Sequence, residues 1–121
     1  MKVRESEETY LETIFVLKKA NSHLHAVDIA NELGYSKPSV SRAVNLLRDR
    51  GYITIDTSGH ISLTPEGEAR ANDIYERHSV ITELLVRMGA SRELAEDNAC
   101  RIEHVISPEM FEILKAYKKT I

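Results

Sequence analysis

The stretch "NACRIEHVIS", residues 98–107, places a thiol, a carboxylate and an imidazole within five positions. Cys100, Glu103 and His104 stand at i, i+3 and i+4, so on a helix all three project from one face. Thiolate, carboxylate and imidazole together form a ligand set for a transition-metal cation. The same spacing also arises in an ordinary amphipathic helix, where a buried cysteine lies beside two polar surface groups. Two further positions favour the metal reading. His78 lies on the long preceding helix, and Glu12 lies on the first helix with Glu8 and Thr9 about one turn away. Each brings a ligand-type group next to an apolar stripe. Catalysis is the competing chemistry, since a cysteine and a histidine at i and i+4 can form an activated thiolate. No glycine-rich anion loop accompanies them, so an enzyme is not expected. His23 and His25 fall in a loop and are read as bland. Thr82 and Glu83, one turn beyond His78, are read as auxiliary to the site, with Glu83 on a solvated face.

The elements that must position these groups follow from periodicity and caps. "SEETYLETIFVLKKA" (6–20) has a 3.6-residue stripe of Tyr10, Leu11, Ile14, Phe15 and Leu17, with Ser6 as its expected cap. "HAVDIANELGY" (25–35) is a short helix that stops at Gly34. Ser36 caps a third helix, Pro38 suits its first turn, and Val40, Val44, Leu46 and Leu47 mark the side expected to be buried. The period then changes to two. Tyr52–Ile55 and His60–Leu63 flank "DTSG", which predicts a β-hairpin. Thr64 and Pro65 open a long helix that ends near Gly89. Ser91 caps the helix carrying the opening motif, and Ser107–Pro108 repeats the cap-plus-proline signature before a last helix.

Helix, short helix, tight turn, longer helix and hairpin is the order of a winged helix-turn-helix. Its third helix would enter the DNA major groove, presenting Lys37, Ser39, Ser41, Arg42 and Asn45, with Ser36 at its start. Lysine and arginine suit phosphates and guanine edges, and asparagine suits adenine. Residues 36–50 carry Lys37, Arg42, Arg48 and Arg50 against Asp49, a local +3 in a chain of net charge −3. A patch-type DNA binder shows this reversal, whereas a non-specific polyanion binder would be basic overall. The hairpin tip, with Ser58 and His60, is placed to touch the DNA backbone or minor groove. The competing reading is a winged scaffold used only for protein contacts.

A length of 121 residues is about the size of one compact domain, and 42% hydrophobic with 29% charged residues argues for a packed core. No apolar run reaches the ~20 residues of a membrane helix and no signal peptide opens the chain. Cys100 is the single cysteine. Its free thiol fits a cytoplasmic setting.

With these residues in place, the chain resembles the metal-dependent repressor family of the diphtheria toxin repressor and the manganese transport regulator. The matching stretches are "ETYLETIFVL", "VDIANELGYSKPSVSRAVNLLRDRGYI", "LTPEGEARA", "YERHSVITELL" and "ACRIEHVIS". The last is the most specific and is similar to the iron-responsive branch. The resemblance implies that Cys100, Glu103 and His104 belong to a primary metal site and His78 to a neighbouring one. It implies that Glu12 matches a glutamate of the manganese-responsive branch. The first-helix ligand of the family is methionine or aspartate; Thr9 stands there, and Glu8 beside it points about 100° away. The resemblance further implies a homodimer that binds palindromic operator DNA when Fe²⁺ or Mn²⁺ is present.

The expected fold is therefore mainly α with a small β-hairpin: a winged helix-turn-helix over 1–64, then a helical metal-binding and dimerisation domain over 65–121. Dimer contacts are expected from 90–106 and from the last helix through Met110, Phe111 and Leu114. The expected function is a divalent-metal-responsive repressor of metal homeostasis genes, acting through double-stranded DNA, with no membrane and no organic cofactor. A winged-helix regulator controlled by Cys100 oxidation or another ligand is the alternative.

Overall fold

The computed structural model describes residues 3–121, with side chains from residue 7 onward. Along the chain run α1 (Val3–Ala20), α2 (Ala26–Leu33), α3 (Lys37–Asp49), β1 (Ile53–Ile55), β2 (Ile61–Leu63), α4 (Pro65–Arg87), α5 (Arg92–Ile102) and α6 (Pro108–Lys118). The mainly helical fold with a small hairpin is as expected. The chain divides into two compact units, Met1–Asn72 and Asp73–Ile121, with the division inside α4.

Local chemistry accounts for the element boundaries. Ser36, Ser91 and Ser107 each accept a hydrogen bond from the backbone N–H three residues on, satisfying a donor that the first helical turn leaves unpaired. Thr64 does the same for Gly67 at the start of α4. Gly34 ends α2 at φ 70°, a left-handed conformation that costs glycine nothing. One cap differs from expectation. α1 already runs at Val3, so Ser6 lies within the helix, and its side chain is outside the described residues.

The first unit is the winged body. Leu11 and Ile14 of α1, Ile29 of α2, Val40, Val44 and Leu47 of α3, and Ile53 and Ile61 of the hairpin fill one core with Leu24 and Ala71. Leu46 is exposed, against expectation. It lies one residue, about 100°, from Leu47 and so points off the buried stripe. β1 and β2 pair antiparallel, with Ile53 opposite Leu63 and Ile55 opposite Ile61. The start of α4 is pinned to the base of this hairpin. A Cβ on Gly67 would collide with the Tyr52 carbonyl, so only glycine permits that approach.

The second unit is α5, α6 and the rest of α4. Val80, Leu84 and Phe111 form its core cluster, with Ile106 and Leu114 packed against them. Phe111 and Leu114 therefore pack inside the unit. Exposed apolar side chains of this region include Met88 as well as Leu94 and Val105, and on α6 Met110, Ile113 and Tyr117. Lys115 meets Glu76 at 3.1 Å, tying α6 to α4, and this carboxylate holds the ammonium above its usual range. No helix among the described residues is long and apolar enough to cross a membrane.

Candidate metal centre and nucleic-acid interface

The opening motif straddles the end of α5. Cys100 lies in the helix, Glu103 is its C-cap and His104 follows in the turn. The backbone at Glu103 keeps helical angles, φ −58° and ψ −26°, and its N–H still donates to Ala99 O at 2.9 Å. The i, i+3, i+4 geometry therefore survives one residue past the helix proper. Cys100 Sγ, a Glu103 carboxylate oxygen and a His104 ring nitrogen lie within 4.8 Å of one another. Cys100 is exposed, His104 is mostly buried and Glu103 is wholly buried.

Glu103 is the residue on which the site turns. Its Oε2 lies 2.9 Å from His78 Nδ1, so α4 and the end of α5 meet through this carboxylate. Its Oε1 lies 3.3 Å from His104 Nε2, a distance for charge attraction, yet the angles make no hydrogen bond. Among the described residues this oxygen is a buried acceptor with no hydrogen-bond donor. Leaving such a group unsatisfied costs about 1–3 kcal/mol, and more when it is charged. The loop is nevertheless held firmly. Arg77 donates to the Glu103 carbonyl oxygen at 3.2 Å and stands 5.8 Å over the Phe111 ring. Sequence reasoning passed over Arg77; an arginine one residue before His78 gives no sign that it holds a helix end 26 positions away.

Sulfur, carboxylate and imidazole donors around one open buried oxygen fit a divalent transition-metal cation. A cleft of about 280 Å³ adjoins His78, lined by Tyr75, Ser79, Thr82, Glu83, Arg92 and Glu96. Thr82 is buried there and its hydroxyl has no hydrogen-bond partner among the described residues. Glu83 pairs with Arg92 at 3.1 Å, and that guanidinium holds its carboxyl below the usual range.

The α1 candidates lie in the first unit. Glu12 is half-buried. Glu8 is buried and lies 3.6 Å from the Arg70 guanidinium. Thr9 accepts a hydrogen bond from the Thr13 hydroxyl through its backbone carbonyl at 2.8 Å.

The DNA candidates share one face of α3. Ser36, Lys37, Ser41 and Arg42 are exposed, while Ser39 and Asn45 are half-buried. The Ser36 hydroxyl donates to Ser39 Oγ at 2.8 Å, and Arg42 approaches the same oxygen at 3.4 Å. Arg50 does not belong to this face. It pairs with the buried Glu7 of α1, as Arg70 does from α4. The basic surface of α3 is thus narrower than its composition suggests. At the hairpin, Ser58 is exposed and His60 is half-buried against Asp56, 3.3 Å away.

Fold and centre together define a winged-helix DNA-binding regulator that carries a metal-binding domain. Residues 2–61 match the iron-dependent repressor N-terminal DNA-binding domain. Residues 64–120 match the iron-dependent repressor metal-binding and dimerisation domain. The chain belongs to the iron-dependent repressor family of metal-dependent transcriptional regulators. It is 33% identical over 114 residues to the transcriptional regulator MntR of Salmonella typhimurium, covering 94% of this chain and 73% of that protein. It is 32% identical over 107 residues to the diphtheria toxin repressor of Corynebacterium efficiens, covering 88% of this chain and 46% of that one. Among solved structures, T. acidophilum IdeR superposes with a TM-score of 0.78 at 28% identity, over 88% of this chain and 51% of that chain. The chain thus spans about half the length of the last two.

Proposed function

We propose that this chain is a homodimeric, cytoplasmic repressor of metal homeostasis genes, in which Cys100, Glu103 and His104 hold a divalent cation and His78 supports a neighbouring position through Glu103. The cation is iron or manganese, as in the family. The observation that carries this reading is the wholly buried Glu103 carboxylate with one oxygen lacking a hydrogen bond. A bound cation supplies positive charge to a donor set rich in carboxylate and thiol. His78 and Arg77 hold Glu103 from its other side, by its second oxygen and its backbone carbonyl. From α1 we propose Glu12 as a ligand on its sequence position; Glu8 is engaged by Arg70, and Thr9 offers only a hydroxyl.

The proposed DNA contacts are Lys37, Ser39, Ser41, Arg42 and Asn45 on α3, Ser36 at its cap, and Ser58 and His60 on the hairpin. A functional division after Thr64 leaves the hairpin with the reader and α4 with the metal-binding part. The exposed Leu94, Val105, Met110, Ile113 and Tyr117 support dimerisation through α5 and α6. Two reading heads related by a two-fold axis would address half-sites about one helical turn apart, or a multiple of it.

The test is metal-stimulated capture of genomic DNA fragments by the reduced protein, with sedimentation to follow the dimer. Glu103→Gln and His104→Ala are expected to lose the stimulation and keep the dimer. Arg42→Ala is expected to keep cation uptake and lose DNA affinity. Stimulation equal to wild type in both metal-site variants would overturn the reading.

A further inference from the structure

The histidines of the first unit, which the metal centre leaves unused, come together on the hairpin turn. The His60 ring lies 4.9 Å from the His23 ring and 4.7 Å from the His25 ring, centroid to centroid. Backbone contacts set this arrangement. Ile61 N–H donates to Leu24 O at 2.8 Å, which brings residues 23–25 beside the start of β2. Gly59, at φ 85°, brings its backbone against His25, where a Cβ would stand 3.3 Å from the imidazole. His23 is exposed, and His25 and His60 are half-buried, so the cluster faces solvent.

The surroundings of the trio give two of its rings fixed polar neighbours. His25 Nε2 lies 3.1 Å from the Ser58 carbonyl oxygen, which only accepts, so that nitrogen carries a hydrogen. His60 Nδ1 faces the Asp56 carboxylate. The N–H groups of His60 and Ser58 both donate to Asp56 Oδ1 at 2.9 Å and hold this carboxyl below its usual range, so it stays ionised. Two other charged groups meet these loops. Asp28 of α2 accepts from the His25 N–H, and Lys18 of α1 donates to the Ser22 and Ile61 carbonyls. The His60 ring stands about 5 Å from each of the other two, so imidazolium charges on neighbouring rings repel each other.

We propose that His23, His25 and His60 form a proton-coupled contact for a DNA backbone phosphate at the hairpin turn. The proposal rests on DNA binding by this unit. A phosphate supplies the negative charge that a second imidazolium lacks, so docking draws a proton onto the cluster. Histidine titrates near pH 6.5 in isolation, and a phosphate raises that value in the complex. Affinity then rises as pH falls from 8 to 6, and binding in this range takes up protons. Each added phosphate contact also steepens the salt dependence by about 0.9 in log–log slope.

The experiment uses the full chain without metal and a mixed-sequence 20-base-pair duplex, which keeps the metal ligands out of the comparison. Wild type is expected to bind about tenfold more tightly at pH 6 than at pH 8, with a salt slope steeper by about one. Calorimetry in two buffers of different ionisation enthalpy should report proton uptake. The triple variant H23Q/H25Q/H60Q should lose the extra slope and the uptake. The single variant H23Q, at the exposed position, should lose part of both without threatening the fold. D56N keeps the oxygen that accepts from Ser58 and His60 and removes the charge, so it should move the pH window down. Binding by wild type with the same pH and salt dependence as the triple variant would overturn the proposal and leave DNA binding standing. No binding of the duplex at any pH or salt would overturn DNA binding by this unit and the proposal with it.

Discussion

Both units bury glutamates, and Glu7 of the first and Glu103 of the second are treated in opposite ways. In the first unit, Glu7 receives Arg50 on one carboxylate oxygen and Arg70 on the other. In the second, Glu103 receives His78 on one oxygen, while the other has no hydrogen bond among the described residues. A buried carboxylate paired on both oxygens is complete within the chain and serves the fold, here tying α1 to the end of α3 and the start of α4. One left open on a held backbone is poised for something from outside. Burial of an acid alone thus does not distinguish structure from function; the state of its second oxygen does.

The largest expected effect separates these two acids by cation. At about 100 times its dissociation constant, a cation that binds only the folded chain adds about 2.7 kcal/mol. Glu103→Gln should lose most of that gain while costing little without metal, because the amide oxygen can still meet His78. Thermal unfolding with and without Mn²⁺ measures both quantities, and a full gain in Glu103→Gln would erase the distinction.

Glu7→Gln should behave in reverse, losing about 2 kcal/mol without metal and keeping the cation response. This is below the 3–5 kcal/mol for breaking a fully buried pair, because the Arg50 side chain is 45% exposed. Urea unfolding gives the value, and a loss under about 0.5 kcal/mol would mean that the two arginines contribute little.

Arg42→Ala probes the proposed DNA-reading face of α3. It should weaken duplex binding by about 1–3 kcal/mol, reduce the salt slope if Arg42 contacts phosphate, and leave stability unchanged. Unaltered DNA affinity would move the reading face elsewhere on α3.

The smallest effect concerns the hairpin turn in acid. The Asp56 carboxyl is lowered by its backbone donors, His60 N–H first and Ser58 N–H after it. A lowered acid stabilises its turn above the ordinary carboxylate value, and the contribution fades as pH falls through the lower, folded value. Amide exchange at Ser58 and His60 should therefore hold steady from pH 7 to about 4 after correction for intrinsic rates, then lose protection below that. Loss beginning near pH 6 would assign the change to the histidines instead.

Much of this was legible in the chain because it is local. Ser36, Ser91, Ser107, Thr64 and Gly34 act within one turn of their own positions, and the period change at Tyr52 marks the hairpin. Cys100, Glu103 and His104 announce themselves by chemical type and spacing. Other features depend on long separations that no local pattern encodes. Glu7 and Arg70 are 63 residues apart, and the composition of residues 36–50 could not show that Arg50 is turned towards Glu7. Leu46 shows the limit of counting apolar residues, since only its angle to Leu47 places it outside the core. His23 and His25 looked bland because their loop meets His60 only through the fold, at the Ile61–Leu24 hydrogen bond.

The most direct test of the central claim is anaerobic Mn²⁺ binding to the reduced protein, followed by loss of the free-ion electron paramagnetic resonance signal. Wild type and Glu7→Gln should both deplete free Mn²⁺, and Glu103→Gln should not. Equal depletion by wild type and Glu103→Gln would show that the open oxygen of Glu103 is no ligand, and would contradict the account at its centre.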